Sequence, residues 1–193
     1  GLLLQDSDKT KRSADARSII LCAPVAFPER KYLGELPGTK KEVSDISRLF
    51  VNKNLMATSY VGPDACENRL KDGILRNYAY VHFATHGLVD EKHPEMSRIF
   101  LQAGAPEEDG NLFAGEIYNL ELSADLVTLS ACETGLGKIY KGEGVIGFSR
   151  ALTYAGARSI IVSFWNVADE STALLMTDFY QHVLENPNED YSE

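Results

Sequence analysis

The chain has 193 residues, 44% of them hydrophobic and 24% charged, with a net charge of −9, which suits one globular domain with a real core. No run approaches the roughly 20 apolar residues that cross a bilayer, and so acidic a balance argues against a nucleic-acid backbone as partner. Three cysteines, Cys22, Cys66 and Cys132, with no CxxC pair, indicate neither a disulfide framework nor a zinc ribbon; reduced thiols and a cytoplasmic setting are expected.

In chain order, "SIILCAPVAFP" (18–28) reads as a buried strand closed by prolines. "LPGTKKEVSDISRLF" (36–50) places Val43, Ile46, Leu49 and Phe50 on one helical face, with Thr39 as N-cap and Glu42 three residues on. "ATSYVG" (57–62) is a second strand and 64–77 a helix despite Gly73. "YAYVHFAT" (78–85) is a third strand ending on His86 and Gly87, followed by a polar stretch, 94–111, that suggests a small hairpin or flap. "ADLVTLSA" (124–131) is the fourth strand, 142–156 a loop and helix stopping at Gly156, "RSIIVSFW" (158–165) the fifth strand, and 169–185 a last helix with Asp169 or Ser171 near its cap. Residues 1–17 read as an extension or linker and 186–193 as a tail. Apolar strands alternating with helices indicate an α/β fold with a mostly parallel sheet covered on both faces.

In such sheets chemistry gathers at the carboxyl ends of the strands. Two ends stand out, one delivering His86 and the other Cys132. A thiol is only a few per cent thiolate at neutral pH, and an adjacent imidazole makes it a practical nucleophile. The plain alternative is a small core cysteine and a histidine bonded to backbone. His82 and His86 have the spacing of a helical zinc pair, but on a strand four residues span about 13 Å, so no metal site is expected and His82 reads as a packed core residue. His93 and His182 read as surface groups. "CETGLGKI" lacks the glycine and hydroxyl residue of a phosphate loop, and "GEGVIG" (142–147) lacks a strand immediately before it, so nucleotide binding is a weak reading. "GFSRA" with Asp169 and His182 lacks the strand and second glycine of a serine-hydrolase elbow.

Together "YVHFATHG", "LVTLSACETG", "GEGVIGFSRALTYAGARSIIVSFWNVAD" and "LPGTKKEVSDISRLF" resemble the CHAT domain, a caspase-like, separase-related family often fused to tetratricopeptide repeats. The resemblance spans about 18–185. It implies a caspase-like fold and a cysteine endopeptidase acting on a protein or peptide, with His86 as base, Cys132 as nucleophile, and the Gly87 and Cys132 N–H groups as oxyanion hole. "WNVAD" resembles the separase stretch that contributes acid to the S1 pocket: Asp169 matches its second acid and Asn166 replaces the first, suggesting a basic P1 residue. Ser130 and Trp165 join Asp169 as expected S1 residues. Neither metal nor organic cofactor is required. A tetratricopeptide repeat domain or partner protein is the expected regulator, and family members continue into a further helix and strand beyond Glu193. The competing class is a non-catalytic interaction module on the same fold; retention of both Cys132 and His86 argues against it.

Overall fold

The computed structural model describes residues 17–133, 143–162 and 169–186, with the backbone alone at 131–133, 143, 144, 169 and 170. Strand β1 (Ile19–Ala23) is buried throughout. It ends five residues before the expected limit because Pro24 has no N–H to extend a ladder. Helix α1 (Pro37–Asn52) starts with proline in its first turn and buries Val43, Ile46 and Phe50. Thr39 is not its cap: it lies inside the first turn, where its hydroxyl donates to the Leu36 carbonyl at 2.6 Å, and no side chain caps the N-terminus. Strand β2 (Ala57–Val61) follows. The expected helix over 64–77 is instead a short α2 (Glu67–Lys71) and a 3-10 turn Ile74–Asn77. Gly73, at φ 75°, breaks the two apart in a left-handed conformation that favours glycine.

Strand β3 (Tyr80–Leu88) is the centre of the sheet and runs three residues further than the apolar stretch alone predicts. The polar segment after it does form a hairpin, β4 (Arg98–Phe100) against β5 (Asn111–Phe113), followed by the single turn α3 (Ala114–Ile117). Strand β6 (Leu126–Glu133), helix α4 (Glu143–Ala155), strand β7 (Ser159–Val162) and helix α5 (Asp169–Glu185) complete the order. Gly156 ends α4 as expected: its φ is 117°, and a Cβ there would lie 2.1 Å from the Leu122 carbonyl oxygen.

The seven strands form one mixed sheet. Its parallel part runs β2, β1, β3, β6, β7, and β4 joins antiparallel to β3 at Gly87 and Leu88, beyond the point where β1 has left. Among the described residues, β7 pairs only with β6. Alternation along the strands sends Val81, Phe83, Val127 and Leu129 into one core with Ile117, Phe148 and Leu152. Tyr80, Ala84 and Leu126 enter the other, with Ile46 and Phe50 of α1 and Tyr180 and Val183 of α5. Each such large side chain contributes roughly 1.5–3 kcal/mol when fully buried, so helices on both faces hold the sheet. A third, smaller cluster of Phe27, Leu33, Leu36 and Phe100 sits under the β1–α1 connection. No helix among the described residues is long and apolar enough to cross a membrane.

Candidate active site

The parallel pairing of β3 and β6 sets the geometry. Its register runs from Tyr80 opposite Leu126 to Gly87 opposite Glu133, and puts His86 opposite Cys132. Both positions share the parity of His82 and Thr128 and lie toward the carboxyl ends of their strands. The two strands are neighbours in the expected orientation, although both residues sit inside the pairing rather than in turns after it.

His86 is 2% exposed. Its Nε2 lies 2.8 Å from the Gly34 carbonyl oxygen; a carbonyl only accepts, so Nε2 carries the proton and Nδ1 of the neutral ring is the acceptor. Phe27 packs against the imidazole with centroids 5.4 Å apart. Both partners come from the β1–α1 connection, which is itself tied down. Val25, a β-branched residue at φ 67°, is the centre of a tight turn in which the Ala26 N–H donates to the Pro24 carbonyl at 2.8 Å, while the Val25 carbonyl accepts from Leu36 at 2.7 Å. Such a backbone costs about 1–3 kcal/mol and persists only where surrounding contacts enforce it. Those contacts are visible. Gln102 donates to the Ala26 carbonyl at 2.6 Å, and Arg30 donates to the carbonyls of Leu101 at 3.1 Å, Gly110 at 3.2 Å and Asp109.

The segment that Arg30 grips is anchored in turn by charge. The buried Glu67 carboxylate accepts the Gly110 N–H at 2.7 Å. The Lys71 ammonium lies 2.6 Å from Glu67, 2.6 Å from Glu108 and 2.7 Å from Glu116. These three carboxylates are close enough to suggest a cation site, but the lysine already occupies the space between them. Burial pushes Glu67 from an ordinary 4.5 up to about 7, against the lowering effect of Lys71. For Lys71 burial works downward, but the carboxylates outweigh it and hold the ammonium above its ordinary range.

The Glu67 shift gives a testable pH dependence. Between about pH 4.5 and 7 the native protein keeps a proton that the unfolded chain has released, so this group's contribution to stability is full below 4.5 and falls as pH rises. Glu67→Gln, neutral throughout, is expected to flatten that part of the decline in denaturant titrations at stepped pH.

His82 is the packed core residue expected. It is fully buried, with Nε2 2.9 Å from Glu42 and Nδ1 3.3 Å from the Tyr180 hydroxyl, which donates to Thr128 at 2.9 Å. His93 and His182 lie exposed. Ser149 falls in the middle of α4, not at a strand-to-helix elbow, and a ten-residue step separates the end of β6 from the start of α4. "CETGLGKI" lies outside the described residues after Glu133.

Of the other expected site residues, Gly87 is inside β3, opposite Ile99 on one flank and Glu133 on the other. Ser130 pairs with Ala84, shares the parity of residue 132, and is 5% exposed with a buried hydroxyl that has no hydrogen-bond partner. Asp169 is the first residue of α5; Trp165 lies outside the described residues. The residues missed in the sequence are Phe27, Arg30 and Gly34. The one available signal was the pair Pro24 and Pro28, which marks a connection rather than the last five residues of a strand.

A family model described as "CHAT domain" matches residues 2–192. Tetratricopeptide repeat protein 28 of Mus musculus and that of Homo sapiens are each 25% identical over 193 residues, which covers 83% of this chain and 8% of the relative's length. Among solved structures, the Streptococcus pneumonia TIGR4 flavodoxin aligns with a TM-score of 0.46 at 12% identity, over 88% of this chain and 98% of its own. The α/β sheet, its register at His86 and Cys132 and the match across nearly the whole sequence agree: the chain belongs to the CHAT domain family, related to the caspase-like peptidases.

Proposed function

We propose that the chain is a cysteine endopeptidase in which His86 and Cys132 form the catalytic dyad. The observation that carries this reading is the register of β3 and β6, which sets residue 86 beside residue 132. The fixed tautomer of His86 supports it further. With Nε2–H held by Gly34, Nδ1 takes the Cys132 proton as sulfur attacks the substrate carbonyl carbon. The N–H groups of Gly87 and Cys132 then hold the oxyanion, each such donor being worth about 3 kcal/mol of transition-state stabilisation. Collapse expels the amine, which takes the proton back from His86. Water, deprotonated by the same ring, hydrolyses the thioester. The proposed setting is the cytoplasm, and the proposed regulator is a tetratricopeptide repeat region or partner, in keeping with the names of the relatives.

For substrate choice we propose a basic P1 residue received by Asp169, with Ser130 and Trp165 lining the same pocket. The unpartnered hydroxyl of Ser130 supports a role toward a ligand, because a buried polar group without a partner costs about 1–3 kcal/mol. The test is a P1-varied peptide library offered to the protein beside a Cys132→Ala control. Cleavage after Arg or Lys is expected in the wild type alone. Asp169→Asn keeps the size and some helix-capping ability but loses the charge. It should reduce turnover of Arg-P1 peptides by about 2 kcal/mol or more, roughly thirtyfold, with little change in Tm. An unfolded Asp169→Asn protein whose folded fraction keeps its P1 preference would assign Asp169 to the helix cap alone.

A further inference from the structure

Resting on the peptidase reading for the role of His86, we infer that Arg30 is a positioning residue for that ring, acting on it through Phe27 and Gly34. Arg30 lies between the two residues that hold the imidazole. Its N–H donates to the Phe27 carbonyl at 2.9 Å, and its own carbonyl accepts the Leu33 N–H at 2.8 Å. Two successive turns therefore meet at Arg30. One carries the Phe27 ring, packed against His86 with centroids 5.4 Å apart. The other leads to the Gly34 carbonyl, which accepts from His86 Nε2 at 2.8 Å. A displacement of Arg30 moves both contacts together.

The side chain of Arg30 decides where these turns stand. A cavity of about 410 Å³ is lined from the connection by Phe27, Pro28 and Glu29, and from the β4–β5 segment by Gln102, Ala103 and Gly104. On this flank the connection is not seated by close packing, so the polar bonds that span to the segment set its distance. Gln102 supplies one such bond, to the Ala26 carbonyl. Arg30 supplies three, to the carbonyls of Leu101, Asp109 and Gly110. A planar guanidinium with donors in a rigid fork can hold three acceptors at once, which a lysine cannot do with the same direction. Its central carbon also lies over the Phe100 ring, 5.6 Å from the centroid, and Phe100 is the fully buried member of the cluster with Phe27, Leu33 and Leu36. The receiving segment is itself fixed. The Leu101 N–H donates to the Gly110 carbonyl at 2.8 Å, and Gln102 is bonded through its N–H to Ala65 and through its carbonyl to Glu67. The Glu67 carboxylate holds the Gly110 N–H at 2.7 Å. Arg30 thus joins the holder of His86 to a rigid frame.

If Arg30 served stability alone, its variants would unfold more easily and leave the His86 ring unchanged in the protein that stays folded. The ring reports on itself in NMR spectra of Cys132→Ala protein, where no turnover is needed. Its nitrogen resonances show which nitrogen carries the proton, and the exchange rate of Nε2–H shows how firmly Gly34 holds it. Arg30→Ala should speed that exchange by about tenfold or more, the worth of one lost hydrogen bond, and shift the ring from a single tautomer toward a mixture. Arg30→Lys should fall between the two. His82, four residues back on the same strand and held by Glu42 and Tyr180, should keep its signals. With Cys132 present, Arg30→Ala should lower kcat by about a hundredfold at nearly constant KM, because the base is misplaced while substrate contacts remain. Unchanged His86 signals in folded Arg30→Ala, changes shared equally by His82, or an unaltered kcat overturns the assignment. Should Arg30→Ala fail to fold, exchange in Cys132→Ala protein at rising urea decides instead. The Arg30 guanidinium N–H and His86 Nε2–H must then open together, ahead of the global unfolding that releases His82. Opening of one without the other, or of both only on global unfolding, overturns it. Cleavage by wild-type protein, on which the ring spectra do not depend, decides the peptidase reading separately.

Discussion

Cys132→Ala is expected to abolish peptide cleavage, by roughly 10⁴-fold or more, and His86→Ala to do nearly the same. The reason is chemical. Sulfur is the atom that bonds to the substrate carbon, and alanine has nothing to replace it. The imidazole is needed twice, first to accept the thiol proton and then to activate water. Because the two groups act as a unit, the double variant should be little worse than either single one. Position 132 lies within β6 opposite His86, where alanine fits a strand without adding bulk, so far-UV and near-UV dichroism should be unchanged. His86→Ala also removes the bond to the Gly34 carbonyl and the contact with Phe27, and some loss of Tm is expected there. Kinetics on folded protein separate the two effects.

The second large effect is on stability and lies two pleat repeats from the site, four residues back along β3. Glu42 and His82 are 1% and 0% exposed and bond at 2.9 Å across 40 residues of sequence. Removing one partner of a buried pair leaves the other with unmet polarity, at a cost of about 3–5 kcal/mol. Glu42→Leu or His82→Leu alone should therefore lower unfolding free energy by that amount in urea titrations. Replacing both together should cost much less than the sum, because apolar side chains of similar volume often substitute for a buried pair without loss. Tyr180→Phe, which strips the hydroxyl bonded to Thr128 and close to His82, should cost about 1–3 kcal/mol. Additive single effects would show that Glu42 and His82 contribute independently.

These cases also mark what is legible in the sequence. The strands were readable because continuous apolar runs have few other uses, and α1 and α5 because their apolar residues repeat at helical spacing. Adjacency of β3 and β6 followed from topology, as did the meeting of positions 86 and 132. What escaped depends on contacts remote in sequence. Glu42, at capping-box distance from Thr39, reads locally as a cap residue, yet its partner is His82. The orienting carbonyl of Gly34 is 52 residues from His86 and carries no side-chain signal at all. The strained turn at Val25 was invisible because valine normally argues for a strand. Arg30 reads as one charge in a connection until the three carbonyls it bonds are seen around it.

The most direct test of the dyad is a labelling experiment that requires no knowledge of the natural substrate. A peptidyl electrophile with a basic P1 residue and a thiol-directed warhead is added at neutral pH, and the adducts are mapped by mass spectrometry. Cys22 and Cys66 are both buried; burial, with Cys66 adding to it, pushes the Cys22 thiol far above its ordinary range, where it is a poor nucleophile. The account predicts labelling at Cys132 well ahead of both, slowed at least a hundredfold by His86→Ala. Equal labelling of all three cysteines, or a Cys132 rate indifferent to His86, would contradict it.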